Sequence, residues 1–261
     1  MPLPDLQETP DERNIAIERV GVCDLKYPIT VLDKENKQQN VAGTFSLSVD
    51  LPRDFKGTHM SRFIEVLNEH RGEVTMHTVP SILDHLLEKL EAKSTHLEVS
   101  FPYFIEKLAP VSKKPAFMDY ECGFCAEKNQ EGQNFIIVVR IPVTSLCPCS
   151  KAISDYGAHN QRGIVEVQLR SKNEELVWFE EIVNYAEESA SAPLYSLLKR
   201  EDERHVTMQA FDNPAFVEDI ARDLAVRLRD DDRIEWYRVK VINHESIHNH
   251  SAFAVVSSET A

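Results

Sequence analysis

Phe117-Met118-Asp119-Tyr120-Glu121-Cys122-Gly123-Phe124-Cys125-Ala126 alternates cleanly, with Met118, Tyr120, Cys122, Phe124 and Ala126 on one side. A period of two marks a strand with one face on a core. Residues 96–105 read as the strand before it, and 135–143, a strongly apolar run, as the strand after it. Further toward the N-terminus, 20–32 and 39–49 read as strands. Met60, Phe63, Ile64 and Leu67 then recur at helical spacing, as do Ile82, Leu83, Leu86, Leu87 and Leu90.

The second half repeats this order. Residues 135–143 and 164–170 read as strands, and Trp178, Phe179, Ile182, Val183 and Ala186 mark a helix. A short apolar piece follows at 194–198. Asn213-Pro214 reads as a cap and first helical residue, with Val217, Ile220, Ala221, Leu224 and Leu228 as the buried stripe. Residues 234–242 and 251–256 close the chain as strands. Each half is strand-strand-helix-helix-strand-strand, an α+β layer of antiparallel sheet with helices on one face. The repeat lies in pattern and not in residue identity. The expected organisation is a loose, Pro-rich and acidic arm at 1–12, one module at 13–130 and a second at 131–261.

The chain has 261 residues, 42% of them hydrophobic, enough for a substantial core. Its five cysteines are an odd count and form no disulfide framework, so reduced thiols in a cytoplasmic protein are expected. No apolar run is long enough to cross a membrane. The net charge of −14 argues against a nucleic-acid surface, which needs a basic footprint. A small anionic ligand in a local basic pocket stays compatible with it.

Candidate chemistry centres on Ser145-Leu146-Cys147-Pro148-Cys149-Ser150-Lys151, with His159 behind it. Pro148 cannot donate to a sheet ladder, so a strand should stop there. A thiolate and an imidazole at a strand end are donors suited to zinc or a similar ion. Lys151 would lower the pKa of a neighbouring thiol. Cys122 and Cys125, three apart on a strand, point to opposite faces and read as core residues. His244-Glu245-Ser246-Ile247-His248 matches the zinc-peptidase pattern, which has chemical meaning only on a helix, and here it follows a β-rich segment. His248-Asn249-His250 reads as a polar site. Glu201-Asp202-Glu203-Arg204 reads by default as a solvated loop. Glu218 complements a helix dipole, worth about 0.3–1 kcal/mol.

Together these segments resemble the prokaryotic type IB GTP cyclohydrolases. The resemblance rests on residues 145–151 with Gly157-Ala158-His159-Asn160-Gln161-Arg162, and on Lys56-Gly57-Thr58-His59-Met60-Ser61-Arg62-Phe63. It rests also on Leu197-Leu198-Lys199-Arg200 with Glu203, on Asp212-Asn213-Pro214 with Phe216-Val217-Glu218-Asp219, and on Glu245-Ser246-Ile247-His248-Asn249-His250-Ser251-Ala252. It implies a tunnelling fold of two tandem ββααββ modules, a cytoplasmic homotetramer with sites between chains, and conversion of GTP and water to 7,8-dihydroneopterin triphosphate and formate. It implies one divalent ion per site, Zn2+, Mn2+ or Fe2+, held by Cys147, His159 and Glu203. Cys149 would be a catalytic thiol, and Glu245, His248 and His250 would line the pocket for proton transfer. Glu218 would anchor guanine. Lys56, Arg62, Lys151 and Arg200 are candidates for the triphosphate. An aromatic residue is expected before Glu245, where this chain has His244. Two other readings stay open: a zinc peptidase using His244, Glu245 and His248, and a non-catalytic zinc scaffold using Cys122, Cys125, Cys147 and Cys149.

Overall fold

The computed structural model describes residues 6, 7, 9–70 and 74–259. Among them are nine strands and six α-helices in an α+β arrangement. In chain order these are β1 (Ile17–Asp33), β2 (Lys37–Leu51), α1 (Met60–Glu69), α2 (Val79–Leu90), β3 (Thr95–Leu108), β4 (Pro115–Asn129) and β5 (Gly132–Leu146). There follow α3 (Pro148–Ile153), β6 (Asn160–Ser171), α4 (Phe179–Ser189), β7 (Ala192–Pro193), α5 (Arg200–Asp212), α6 (Val217–Arg229), β8 (Ile234–Asn243) and β9 (Ala252–Ser257). The chain divides into two compact units, one of residues up to 101 with 123–136, the other of 102–122 with 137–261.

In the first unit β1 pairs antiparallel with β2, and β2 with β3. Phe45, Leu47 and Val49 alternate on the buried face of β2, and Leu97, Val99 and Phe101 on that of β3. Phe63, Val66 and Leu67 of α1 and Ile82, Leu83 and Leu86 of α2 are buried as their helical spacing requires. Of the expected arm, residues 1–5 and 8 lie outside the described residues. The rest makes main-chain hydrogen bonds. Gly57 N–H donates to Gln7 O at 3.3 Å, Lys56 N–H to Thr9 O at 3.2 Å and Asp11 N–H to Asp54 O at 3.3 Å. The arm's polar backbone thus finds partners that its composition did not reveal.

In the second unit β5 pairs antiparallel with β6, β6 with β8, β8 with β9, and the short β7 with β5. Val139, Ile141 and Val143 of β5 face the core, as do Val165, Val167 and Leu169 of β6 and Val239 and Val241 of β8. Ile182, Val183 and Ala186 of α4 and Ile220, Ala221, Leu224 and Leu228 of α6 cover this core. Each fully buried Leu or Ile contributes roughly 1.5–3 kcal/mol relative to exposure.

Two expectations are corrected here. Residues 201–204 are no loop but the first turn of α5. Asp202 is fully buried and accepts hydrogen bonds from the N–H groups of Val111, Ser112 and Lys199, each at 2.8 Å, and from Ser112 Oγ at 2.6 Å. The bond from Lys199 N–H caps the helix. Nor does Pro214 open α6. Asn213 caps the end of α5, residues 213–216 bridge to the next helix, and α6 begins at Val217 behind Phe216, whose N–H donates to Asp219 Oδ2 at 3.0 Å. The link cannot wind because both polar groups of Ala215 are committed to the end of β5: its N–H donates to Leu146 O and its carbonyl accepts from Ser145 Oγ, each at 3.0 Å.

Burial alone would push the Asp202 carboxyl up in pKa. The hydroxyl and N–H of Ser112 and the N–H groups of Lys199 and Val111 outweigh it and hold the group well below the ordinary carboxylate range. A group depressed in the folded state contributes stability that is complete above its unfolded value, about 3.9, and fades as pH falls from there. Asp202→Asn is therefore expected to lower the melting temperature at neutral pH. The gap to the parent protein should narrow below about pH 4. Thermal unfolding across a pH series checks this, and a gap independent of pH would contradict it.

Candidate active site

The turn after β5 is built by Pro148. With no N–H it ends the strand and serves as the first residue of α3. Cys147 caps this short helix, its Sγ accepting from Ser150 N–H at 3.4 Å. Cys147 N–H donates to His159 O at 3.1 Å, and His159 N–H to Ser150 Oγ at 3.2 Å. Cys147 and His159 are thus tied together through the main chain, while Cys149 is exposed on α3.

His159 is largely buried. Its Nδ1 lies 3.0 Å from Gln161 Oε1 and 3.8 Å from Glu245 Oε2. Its ring meets that of His248 edge-on with centroids 6.2 Å apart, and His248 stacks on His250 at 5.1 Å. Glu245, His248 and His250 sit in the bend between β8 and β9, which is neither helix nor strand. On a regular strand Glu245 and His248 would face opposite ways, and the bend frees them from that alternation. It also overturns the zinc-peptidase reading, since the shared helical face that reading needs is absent.

Glu203 is exposed on α5 and lines a cavity of about 520 Å3 with Leu146, Gly157, Ala158, Asn160 and Thr207. These include Leu146, which precedes Cys147, and both neighbours of His159. As the side chains stand, no three His, Cys, Asp or Glu groups among the described residues converge closely enough to hold an ion. Lys151 Nζ reaches the Phe211 carbonyl and lies over the Phe211 ring, 4.3 Å from its centroid. Arg200 is exposed at the start of α5, and Glu218 is exposed in the first turn of α6. Lys56 and Arg62 belong to the first unit. There Arg62 Nη1 donates to Lys89 O at 3.3 Å, near the end of α2. Cys122 is buried on β4, and burial pushes its thiol well up in pKa. A thiol that keeps its proton is a poor ligand, which counts against the four-cysteine scaffold.

Three residues of the site carry no obvious chemistry and escape motif reading: Ser145, Gln161 and Asn243. All are buried. Ser145 Oγ accepts from Asn243 Nδ2 at 2.9 Å and from Gln161 Nε2 at 3.5 Å. Ser145 pairs directly with Gln161 across β5 and β6, and Gly163 with Asn243 across β6 and β8. Their signal lies in the alternation itself. Ser145 continues the buried series Val139, Ile141, Val143, and Asn243 the series Tyr237, Val239, Val241. A polar residue in a core-facing slot at a strand end marks a place where hydrogen bonds replace packing.

A family model described as Type I GTP cyclohydrolase folE2 matches residues 3–254. The chain is 53% identical to a GTP cyclohydrolase FolE2 of Kosmotoga olearia over 252 residues, 97% of each chain. It is 49% identical to a GTP cyclohydrolase FolE2 of Thermosipho africanus over 256 residues, 98% of each. Among solved structures it resembles uricase from Arthrobacter globiformis, with a TM-score of 0.54 at 7% identity over 92% of both chains. Urate oxidase from Bacillus sp. TB-90 gives a TM-score of 0.54 at 10% identity, over 92% of this chain and 99% of that one. At such identities the likeness concerns the fold alone, which is that of tunnelling-fold, uricase-like proteins.

Gly163 is required by the polar junction. A Cβ there would lie 2.6 Å from Asn243 Oδ1 and 3.4 Å from Ile242 O and Val143 Cγ2. Asn243 cannot swing aside without giving up its bond to Ser145. Gly163→Ala should cost about 1–3 kcal/mol by overpacking, read as a lower denaturant midpoint with unchanged slope.

Proposed function

Because the chain belongs to the type I GTP cyclohydrolase FolE2 family, we propose that it converts GTP and water to 7,8-dihydroneopterin triphosphate and formate. The product would enter folate and deazaguanosine synthesis. The observation that carries the reading is the convergence of His159, Glu245, His248 and His250 beside the Cys147-Pro148-Cys149 turn. The reaction opens the purine imidazole ring, releases C8 as formate and closes a pterin ring. Each stage moves protons, and imidazoles suit proton movement near neutral pH.

The finer reading is a type IB enzyme of two tandem ββααββ modules, working as a cytoplasmic homotetramer. Cys147, His159 and Glu203 would hold one Zn2+, Mn2+ or Fe2+. The donor types suit such an ion, although the three side chains do not converge as they stand: the main-chain bond keeps the Cys147 and His159 positions together, and Glu203 lines a cavity with residues next to them. Thiolate, imidazole and carboxylate suit a divalent ion with a position left open. When bound, the ion supplies Lewis acidity for hydrolysis at C8.

The chain's own groups do the rest. Glu218 accepts two N–H bonds from the guanine edge, which adenine cannot supply, leaving the carboxylate unpaired. Glu245, His248 and His250 take up and return protons during ring opening and closure. Cys149, held away from Cys147 by Pro148, faces substrate. Lys56, Arg62, Lys151 and Arg200 are the candidates from which the cations for the triphosphate are drawn.

Incubation with GTP, oxidation and a search for neopterin fluorescence tests the reading, and absence of both neopterin and formate would overturn it. Cys147→Ala should lose both metal and activity, whereas Cys149→Ala should keep the metal and lose turnover. Metal content with a GTP assay on each variant decides. Glu218→Gln should lower kcat/KM by about 1.5–3 kcal/mol or more, roughly tenfold to over a hundredfold. Its melting temperature should barely move. If Glu218 only complements the helix dipole, kcat/KM will be unchanged.

A further inference from the structure

We propose that Gln161 is a positioning residue for His159, with its direction set by the hydroxyl of Ser145, so that His159 carries its proton on Nδ1 and leaves the Nε2 lone pair for a ligand. The role of that lone pair rests on the function proposed above. The Ala215 carbonyl can only accept, so the single hydrogen of Ser145 Oγ goes to it, at 3.0 Å. Ser145 Oγ is then left with lone pairs alone. Both amides that approach it must present their NH2 groups: Asn243 at 2.9 Å and Gln161 at the longer 3.5 Å.

With its NH2 toward Ser145, Gln161 turns its carbonyl to His159. Oε1 lies 3.0 Å from Nδ1, so Nδ1 must be the donor. Glu245 Oε2, at 3.8 Å from the same nitrogen, is beyond hydrogen-bond reach. Its negative charge favours the same proton position. Asn243 bears the consequence of this ordering. Its NH2 is spent on Ser145, and its buried Oδ1 has no hydrogen-bond partner among the described residues and lies against Gly163. The arrangement fixes one tautomer before any ligand arrives, the service that outer groups render to metal-binding histidines in general.

The test uses the full chain stripped of metal, at about pH 8, above the ordinary histidine range. Long-range proton–nitrogen spectra report the tautomer, the His159 signal being identified by its loss in His159→Ala. The parent protein should show Nδ1–H. Gln161→Leu and Ser145→Ala should move His159 toward Nε2–H or a mixture, and Gln161→Glu, which keeps an acceptor, should restore Nδ1–H. Zn2+ added alone should bind about tenfold to a hundredfold more weakly to Gln161→Leu than to the parent or to Gln161→Glu.

An Nε2–H tautomer in the parent protein overturns the proposal. So do unchanged tautomer and unchanged Zn2+ affinity in Gln161→Leu. If that variant fails to fold, Ser145→Ala decides by the same spectrum. A parent protein that shows the expected tautomer and variant shifts, yet makes no neopterin from GTP, would refute the proposed reaction and uphold the positioning role.

Discussion

One hydroxyl joins four segments of the second unit. Ser145 ends the buried series of β5, donates to the link between α5 and α6, and accepts from β6 and β8. Below this point the sheet is held by apolar side chains in close packing. Above it the core-facing slots are polar, and the backbone leaves the sheet for α3, for the 213–216 link and for the 244–251 bend. A buried polar cluster is costly unless its groups are paired, and one orphaned acceptor costs about 1–3 kcal/mol. Asn243 Oδ1 is such an acceptor. A purely apolar strand end would avoid that cost but could not hold the link extended, nor give His159 an acceptor.

The same logic governs α5. Only Asp202 and Ala210 of this helix are buried, so little apolar area holds it in place. Polar ties serve instead. Asp202 fastens its first turn to residues 111 and 112, Lys151 reaches the carbonyl of Phe211 in its last turn, and Ala215 fastens the following link to β5. Glu203, one residue from the Asp202 anchor, is thereby set on the cavity wall by hydrogen bonds rather than by packing.

That difference explains what could be read from sequence. The strands and α1, α2, α4 and α6 bury apolar stripes, and burial leaves a period of 2 or 3.6 in the chain. The α5 helix, the 213–216 link and residues 7, 9 and 11 are held by hydrogen bonds, which leave no period. Asp202 read as a solvated charge because a buried, fully paired carboxylate looks the same in sequence as an exposed one. Within the site, the cysteines and histidines were legible because few other roles suit them in polar company. Ser145, Gln161 and Asn243 were not, since their function lies in the slot they occupy and not in their chemistry.

His244 shows how a misleading motif can arise from a structural need. It completes the H-E-x-x-H pattern, yet its N–H donates to Arg162 O at 2.9 Å and its Nδ1 lies 3.4 Å from Ser251 Oγ. The first bond carries the β6–β8 ladder one step past Asn243, and the second draws the two ends of the bend together. A bend closed in this way lets Glu245 approach His159 while His248 and His250 stack beyond it. A Phe or Tyr side chain at 244 would keep the main-chain bond but have no ring nitrogen to meet Ser251. The residue that raises the peptidase reading is therefore better understood as the clasp of the loop that carries Glu245, His248 and His250.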